Sequence, residues 1–200
     1  MLAPHTDDGE FGCGGTLARL VDGGARAFYA AFSTCRTSLP AELPPDTLAR
    51  ECRAATARLG IADPILFDYD VRHFPSHRQP ILEDMVKLQA QLRPDLIFIP
   101  ASTDLHQDHQ VIHNEAKRAF KYTRTLGFEL PWNNITMTTN LFSKIEEKHV
   151  AAKVAAIMEY KSQSHRNYYS EEFVRSLAVT RGTQTGERYA EAFEVIRWRL

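Results

Sequence analysis

His5, Asp7 and Asp8 fall within four positions of one another in the stretch APHTDDGEFGCGG, residues 3–15. An imidazole beside two carboxylates suits a hard or borderline divalent cation, and two of these side chains can converge on one point in a turn leaving a strand. Zinc accepts imidazole nitrogen and carboxylate oxygen, and a catalytic zinc site uses three protein ligands with one position left open. A third ligand must therefore come from elsewhere in the chain. The competing reading of the stretch is that Asp7 or Asp8 caps the helix that follows. A phosphate cradle is a weaker one, because GCGG lacks the full glycine spacing and no lysine-serine pair follows.

A second cluster lies further along. ASTDLHQDHQVIH places Asp104, His106, Asp108, His109 and His113 within ten residues, directly after the apolar run DLIFIP. Two acid and imidazole clusters, each after a strand, point to one metal site assembled from both. His113 alone reads as a satisfied core histidine.

The elements that position these clusters follow from the hydropathy pattern. ARAFYAAF (25–32), PILFDY (64–69) and DLIFIP (95–100) read as buried parallel strands, and helical patterns alternate with them. GGTLARLVDGG, DTLARECRAATARLG and QPILEDMVKLQAQLR read as the crossover helices. The last stops before Pro94, because the residue before proline disfavours helix. Further on, NNITMTTNLF reads as a strand, KIEEKHVAAKVAAIMEYKSQ as a long helix carrying a core stripe of Val150, Val154, Ile157 and Met158, SEEFVRSLAVTRG as a helix, and AEAFEVIRW as a closing strand. The expected fold is a single α/β domain over residues 1–200, a Rossmann-like three-layer sandwich with a mostly parallel sheet. Ligands bind such sheets at the carboxyl ends of the strands. The opening strand is short, with only MLA ahead of Pro4.

Composition narrows the class. In 200 residues, 24 Lys and Arg balance 25 Asp and Glu, which gives no field to draw in nucleic acid or an anionic membrane. The three cysteines, Cys13, Cys35 and Cys52, form no paired framework, and no apolar run approaches the roughly 20 residues of a membrane span. A cytoplasmic location is the resulting expectation. Arg36, after the second strand, and Arg72 and Arg78, in DYDVRHFPSHRQP (68–80), are candidates to hold a substrate anion, since arginine offers a planar fork to phosphate oxygens. TLGFELPWNN (125–134) reads as a loop. It forms either a wall on which a sugar stacks or a contact of a homo-oligomer.

PHTDDGEFGCGGT resembles the AHPDDE-type motif of the LmbE/PIG-L family of zinc-dependent N-acetyl-sugar deacetylases, and HQDH is similar to its HPDH motif. KVAAIMEYKSQ and RGTQTGERYAEAFEV resemble later blocks of the same family. The resemblance implies that His5, Asp8 and His109 bind zinc or another divalent cation, that Asp7 is the general base, and that His106 faces the scissile carbonyl. It also implies that Asp108 orients a nearby imidazole. The implied reaction removes acetyl from an N-acetylated amino sugar, free or linked to a nucleotide or lipid. The alternatives are another metallohydrolase, such as a phosphoesterase or different amidase, and an inactive nucleotide-sugar-binding module. Thr6 stands where the family usually has proline, Gly9 shifts Glu10 by one position, and Leu48 and Asp104 fall where some relatives carry an arginine and a tyrosine. None of these replaces a ligand.

Overall fold

Successive residues of a strand face opposite sides of its sheet, and Leu96–Pro100 shows what that does here. Ile97 and Ile99 enter one buried cluster while Phe98 enters the other. Leu2 and Ala3 divide in the same way. A strand apolar on both faces needs helices on both, and the chain supplies them.

The structure is a computed structural model and describes residues 1–199. Strand β1 (Leu2–Ala3) leads to α1 (Asp8–Asp22), β2 (Ala30–Ala31), α2 (Thr47–Arg58), β3 (Ile65–Leu66), α3 (Arg78–Leu92), β4 (Leu96–Pro100) and α4 (Gln107–Ala119). Then come β5 (Arg124–Phe128), β6 (Leu141–Lys144), α5 (Glu147–Ile157), α6 (Glu171–Thr183) and β7 (Ala190–Arg197). Strands β1, β2 and β3 form a parallel sheet. A second sheet has the order β4-β5-β7-β6, with β4 and β5 parallel and β7 antiparallel to both of its neighbours. β1 lies beside β4. Helices α1, α2, α5 and α6 cover one side, and α3 and α4 the other. The chain thus builds outward from β1 to β3 and returns to β4, so the loops after β1 and β4 meet where the strand order reverses, the usual binding crevice of such sheets.

Several boundaries depart from the expectations. α1 begins at Asp8, well before GGTLARL, because its first turns run through the glycines. Gly12 is required there: a Cβ would stand 2.2 Å from Phe128 Cδ2. The helix breaks at Cys13 (φ −147°) and resumes where the Glu191 carboxylate accepts the N–H groups of Gly15 and Thr16 at 3.0 and 2.6 Å. Lys153 Nζ, 2.6 Å away, neutralises that buried carboxylate. The first four residues of TLGFELPWNN are not loop but β5. Gly127, which reads as a loop signal, sits within this strand between β4 and β7. NNITMTTNLF contributes only Leu141 and Phe142 to β6, and the long helix expected over 144–163 is the shorter α5 followed by a 3-10 turn at Lys161–Gln163. Among the described residues no helix is long and apolar enough to cross a membrane.

Candidate metal centre and active site

The loop after β1 delivers His5 and Asp8, and the loop after β4 delivers His109 in the first turn of α4. His5 Nδ1, Asp8 Oδ2 and His109 Nε2 lie at mutual distances of 3.2, 3.2 and 3.2 Å. Tetrahedral zinc with bonds of about 2.0–2.1 Å separates neighbouring ligand atoms by about 3.3 Å. The triangle therefore fits one face of such a site.

Each histidine is held by its other nitrogen. His5 Nε2 is 3.1 Å from Asp108 Oδ2, and His109 Nδ1 is 2.8 Å from Asp104 Oδ2. A carboxylate on the outer nitrogen fixes the tautomer and turns the inner lone pair to the metal. Asp108 is itself fully buried and accepts backbone N–H bonds from Arg72 at 2.5 Å and Phe74 at 3.3 Å. Burial alone would raise the Asp8 carboxyl, but His109 and His5 hold it well below the usual carboxylate range. Burial likewise opposes the charge on His109, yet Asp8 and Asp104 outweigh it and raise the imidazole to about 10.

Asp7 is the N-cap of α1, but its side chain makes no capping bond. The residue lines the cavity instead, its carboxyl pushed up to about 6 by burial and then by the neighbouring charge of Asp8. His106 also offers a nitrogen within 4.8 Å of those of His5 and His109. Its Nδ1 accepts the Asp108 N–H at 3.1 Å, while burial and the two other imidazoles push the ring down to about 4. A neutral ring with Nδ1 accepting carries its proton on Nε2. Asp8 completes a tighter triangle with His5 and His109 than His106 does, which leaves His106 free to donate.

A cavity of about 330 Å³ opens over this centre. Of the three arginines expected to hold substrate, only Arg72 lines it. Arg72 has a left-handed backbone (φ 71°), and its N–H is tied to Asp108, so the ligand-orienting carboxylate also places this side chain. Arg36 instead pairs with Asp68, and Arg78 pairs at 2.7 Å with the buried Glu115 of α4. Neither lines the cavity, because each is drawn to a carboxylate elsewhere. Sequence reasoning missed Arg166, Gln163 and Tyr168, which do line it. Tyr168 stacks on Trp132 with ring centroids 3.8 Å apart and 6° between planes, and both line the cavity. The KSQ block marked the region that carries them, but nothing local marks the direction of these side chains. Asp104 was visible within its cluster, though its hold on His109 was not. Cys35 lines the cavity with a thiol that burial and Asp7 keep well above its ordinary range. His113 Nδ1 is spent on the Pro100 carbonyl at 2.9 Å.

An imidazole and carboxylate triangle that could hold a cation, set at the topological switch point of an α/β sheet, defines the class as a Rossmann-like α/β protein with a candidate metal site. The chain belongs to the PIG-L family, whose sequence model, described as GlcNAc-PI de-N-acetylase, matches residues 1–120. An uncharacterized deacetylase of Escherichia coli K12, YaiS, is 26% identical over 167 residues, covering 80% of this chain and 89% of the relative. The N,N'-diacetylchitobiose deacetylase of Pyrococcus horikoshii superposes with a TM-score of 0.79 at 19% identity, covering 98% of this chain and 82% of that one. GalB of Pseudomonas putida KT2440, a 4-carboxy-2-hydroxymuconate hydratase, superposes with a TM-score of 0.78 at 15% identity, covering 100% and 95%. One fold thus carries two reactions, and the site has to decide between them.

Proposed function

We propose that this protein is a divalent-metal-dependent N-deacetylase acting on an N-acetylated amino sugar, with zinc held by His5, Asp8 and His109. The observation that carries this reading is Asp7, which makes no capping bond at its helix N-cap and lines the cavity beside the ligand triangle. Amide hydrolysis needs a base for water, a donor for the oxyanion and an acid for the departing amine, and three side chains fit those roles.

A bound divalent cation supplies Lewis acidity at the triangle. Asp7 takes a proton from water as the oxygen adds to the acetamide carbon. His106 donates its Nε2–H to the resulting oxyanion. Asp7 then returns the proton to the sugar nitrogen, the C–N bond breaks, and acetate and a free amine leave. Burial and the charge of Asp8 push the Asp7 carboxyl above its ordinary range, the direction that lets one group both take and return the proton. Asp108 and Asp104 orient the two histidines. Arg72 and Arg166 at the cavity, with the Trp132 and Tyr168 pair, offer hydrogen bonds to hydroxyls or to an anionic substituent and a flat face to a pyranose.

Family membership and the deacetylase relatives support this reading over that of a hydratase. The experiment is acetate release by zinc-loaded protein across free, nucleotide-linked and lipid-linked N-acetylhexosamines, with Asp7→Asn alongside. Release by the wild type that drops by roughly a hundredfold or more in Asp7→Asn, with zinc retained, is the expected result. An Asp7→Asn protein that keeps both the metal and the rate would sink the assignment.

A further inference from the structure

An N-cap aspartate normally accepts an N–H from the first turn of its helix, which stabilises that turn. Asp7 makes no such bond; Asp8 Oδ2 accepts the His5 N–H at 2.8 Å across the turn, but the N–H groups of the first helical turn are left to other partners. Glu10 lies beneath the turn, completely buried. Its carboxyl accepts the Tyr29 hydroxyl at 2.5 Å on Oε2 and the Tyr160 hydroxyl at 2.9 Å on Oε1. Both hydroxyls also reach the carbonyl oxygen of Thr6, that of Tyr29 at 2.9 Å. The Tyr29 oxygen in turn accepts the N–H of Gly9 at 3.1 Å. A Cβ on Gly9 would stand 2.5 Å from Tyr29 Cε2, so only glycine lets the turn approach the ring this closely.

The three side chains come from separate parts of the fold. Glu10 lies in the first turn of α1, Tyr29 directly precedes β2, and Tyr160 follows α5. They converge on one peptide unit, because the Thr6 carbonyl and the Asp7 N–H share a plane. Holding that oxygen fixes the plane from which the Asp7 side chain departs. No hydroxyl or carboxyl of the three lines the cavity.

We propose that Glu10, Tyr29 and Tyr160 form a positioning latch that takes over the work of the missing N-cap bond and so leaves the Asp7 carboxyl free and aimed into the cavity. The kinetic consequence of the latch rests on the reading of Asp7 as general base. Its structural consequence does not.

The test uses the full chain, zinc-loaded, as Tyr29→Phe, Tyr160→Phe, Glu10→Ala and Glu10→Gln. Backbone amide exchange over residues 5–10, zinc affinity, thermal melting, kcat and KM are measured for each. Either phenylalanine variant is expected to exchange faster over this segment and to lose kcat by roughly ten- to hundredfold, with KM and zinc affinity unchanged. Glu10→Gln is expected to recover most of what Glu10→Ala loses, since an amide can accept from one hydroxyl and donate to the other. Unchanged exchange in both phenylalanine variants would overturn the latch. So would a fall in kcat matched by an equal loss of zinc, or a glutamine variant no better than alanine in exchange. If the wild type releases acetate from no substrate, the reading of the reaction fails, while exchange and the comparison of glutamine with alanine still decide the latch.

Discussion

Asp104 Oδ2 stands 2.8 Å from His109 Nδ1, and both side chains are almost wholly buried. The same carboxylate accepts the His106 N–H at 2.9 Å on its other oxygen, so Asp104 fixes one ligand ring and the backbone of its neighbour together. Replacing Asp104 with Ala removes the acceptor that holds the His109 tautomer. Zinc affinity, measured by competition with a chromophoric chelator, is expected to fall about 10- to 100-fold. An affinity equal to wild type would show that His109 needs no carboxylate.

The metal-free centre retains a proton near neutral pH. Asp8 and Asp104 overcome burial to raise His109 to about 10, so the imidazole is charged at pH 7 and a cation must displace that proton. Zinc affinity is therefore expected to rise as pH rises toward 10 and to weaken as pH falls. Calorimetry at pH 7 in buffers of different ionisation enthalpy should reveal at least one proton released per cation, since, against burial, Asp8 and Asp108 raise His5 as well. Binding heats independent of the buffer would refute this.

Arg166 and Arg36 separate the cavity from the surface. Arg166 lines the cavity, whereas Arg36 is bound to Asp68 outside it. Arg166→Met is expected to raise KM for the preferred substrate by roughly three- to tenfold. Arg36→Met and Arg78→Met should leave KM near the wild-type value. The opposite pattern would move the substrate contact to the loops after β2 and β3.

Gly12 and Phe128 bind α1 to β5. Gly12→Ala drives a methyl into the Phe128 ring and is expected to cost about 1–3 kcal/mol, a drop of several degrees in melting temperature. Adding Phe128→Leu should recover part of that loss, and strict additivity of the two changes would exclude the contact.

Much of this protein is legible in its sequence because the signals are local. The unbroken apolar run of DLIFIP reports a strand buried on both faces, and His5, Asp7, Asp8, Asp108 and His109 lie within short spans whose residue types already imply a cation site. Gly60 and Pro94 mark the ends of α2 and α3 where periodicity places them. β5 escapes the same reading because Gly127 is a loop signal in its own neighbourhood and a strand residue only once β4 and β7 lie on either side of it.

Only the tertiary structure decides what depends on distant partners. Arg36, Arg72 and Arg78 are equivalent in sequence, but Asp68 takes the first and Glu115 the third, which leaves Arg72 at the cavity beside the unexpected Arg166. The His106 tautomer follows from one backbone N–H, and the free Asp7 carboxyl coincides with contacts from Tyr29 and Tyr160 to the turn beneath it. Residue type and spacing determine which groups can bind a cation or move a proton. Which of those groups remain available is a matter of competition for partners, and folding alone brings those partners within hydrogen-bonding distance.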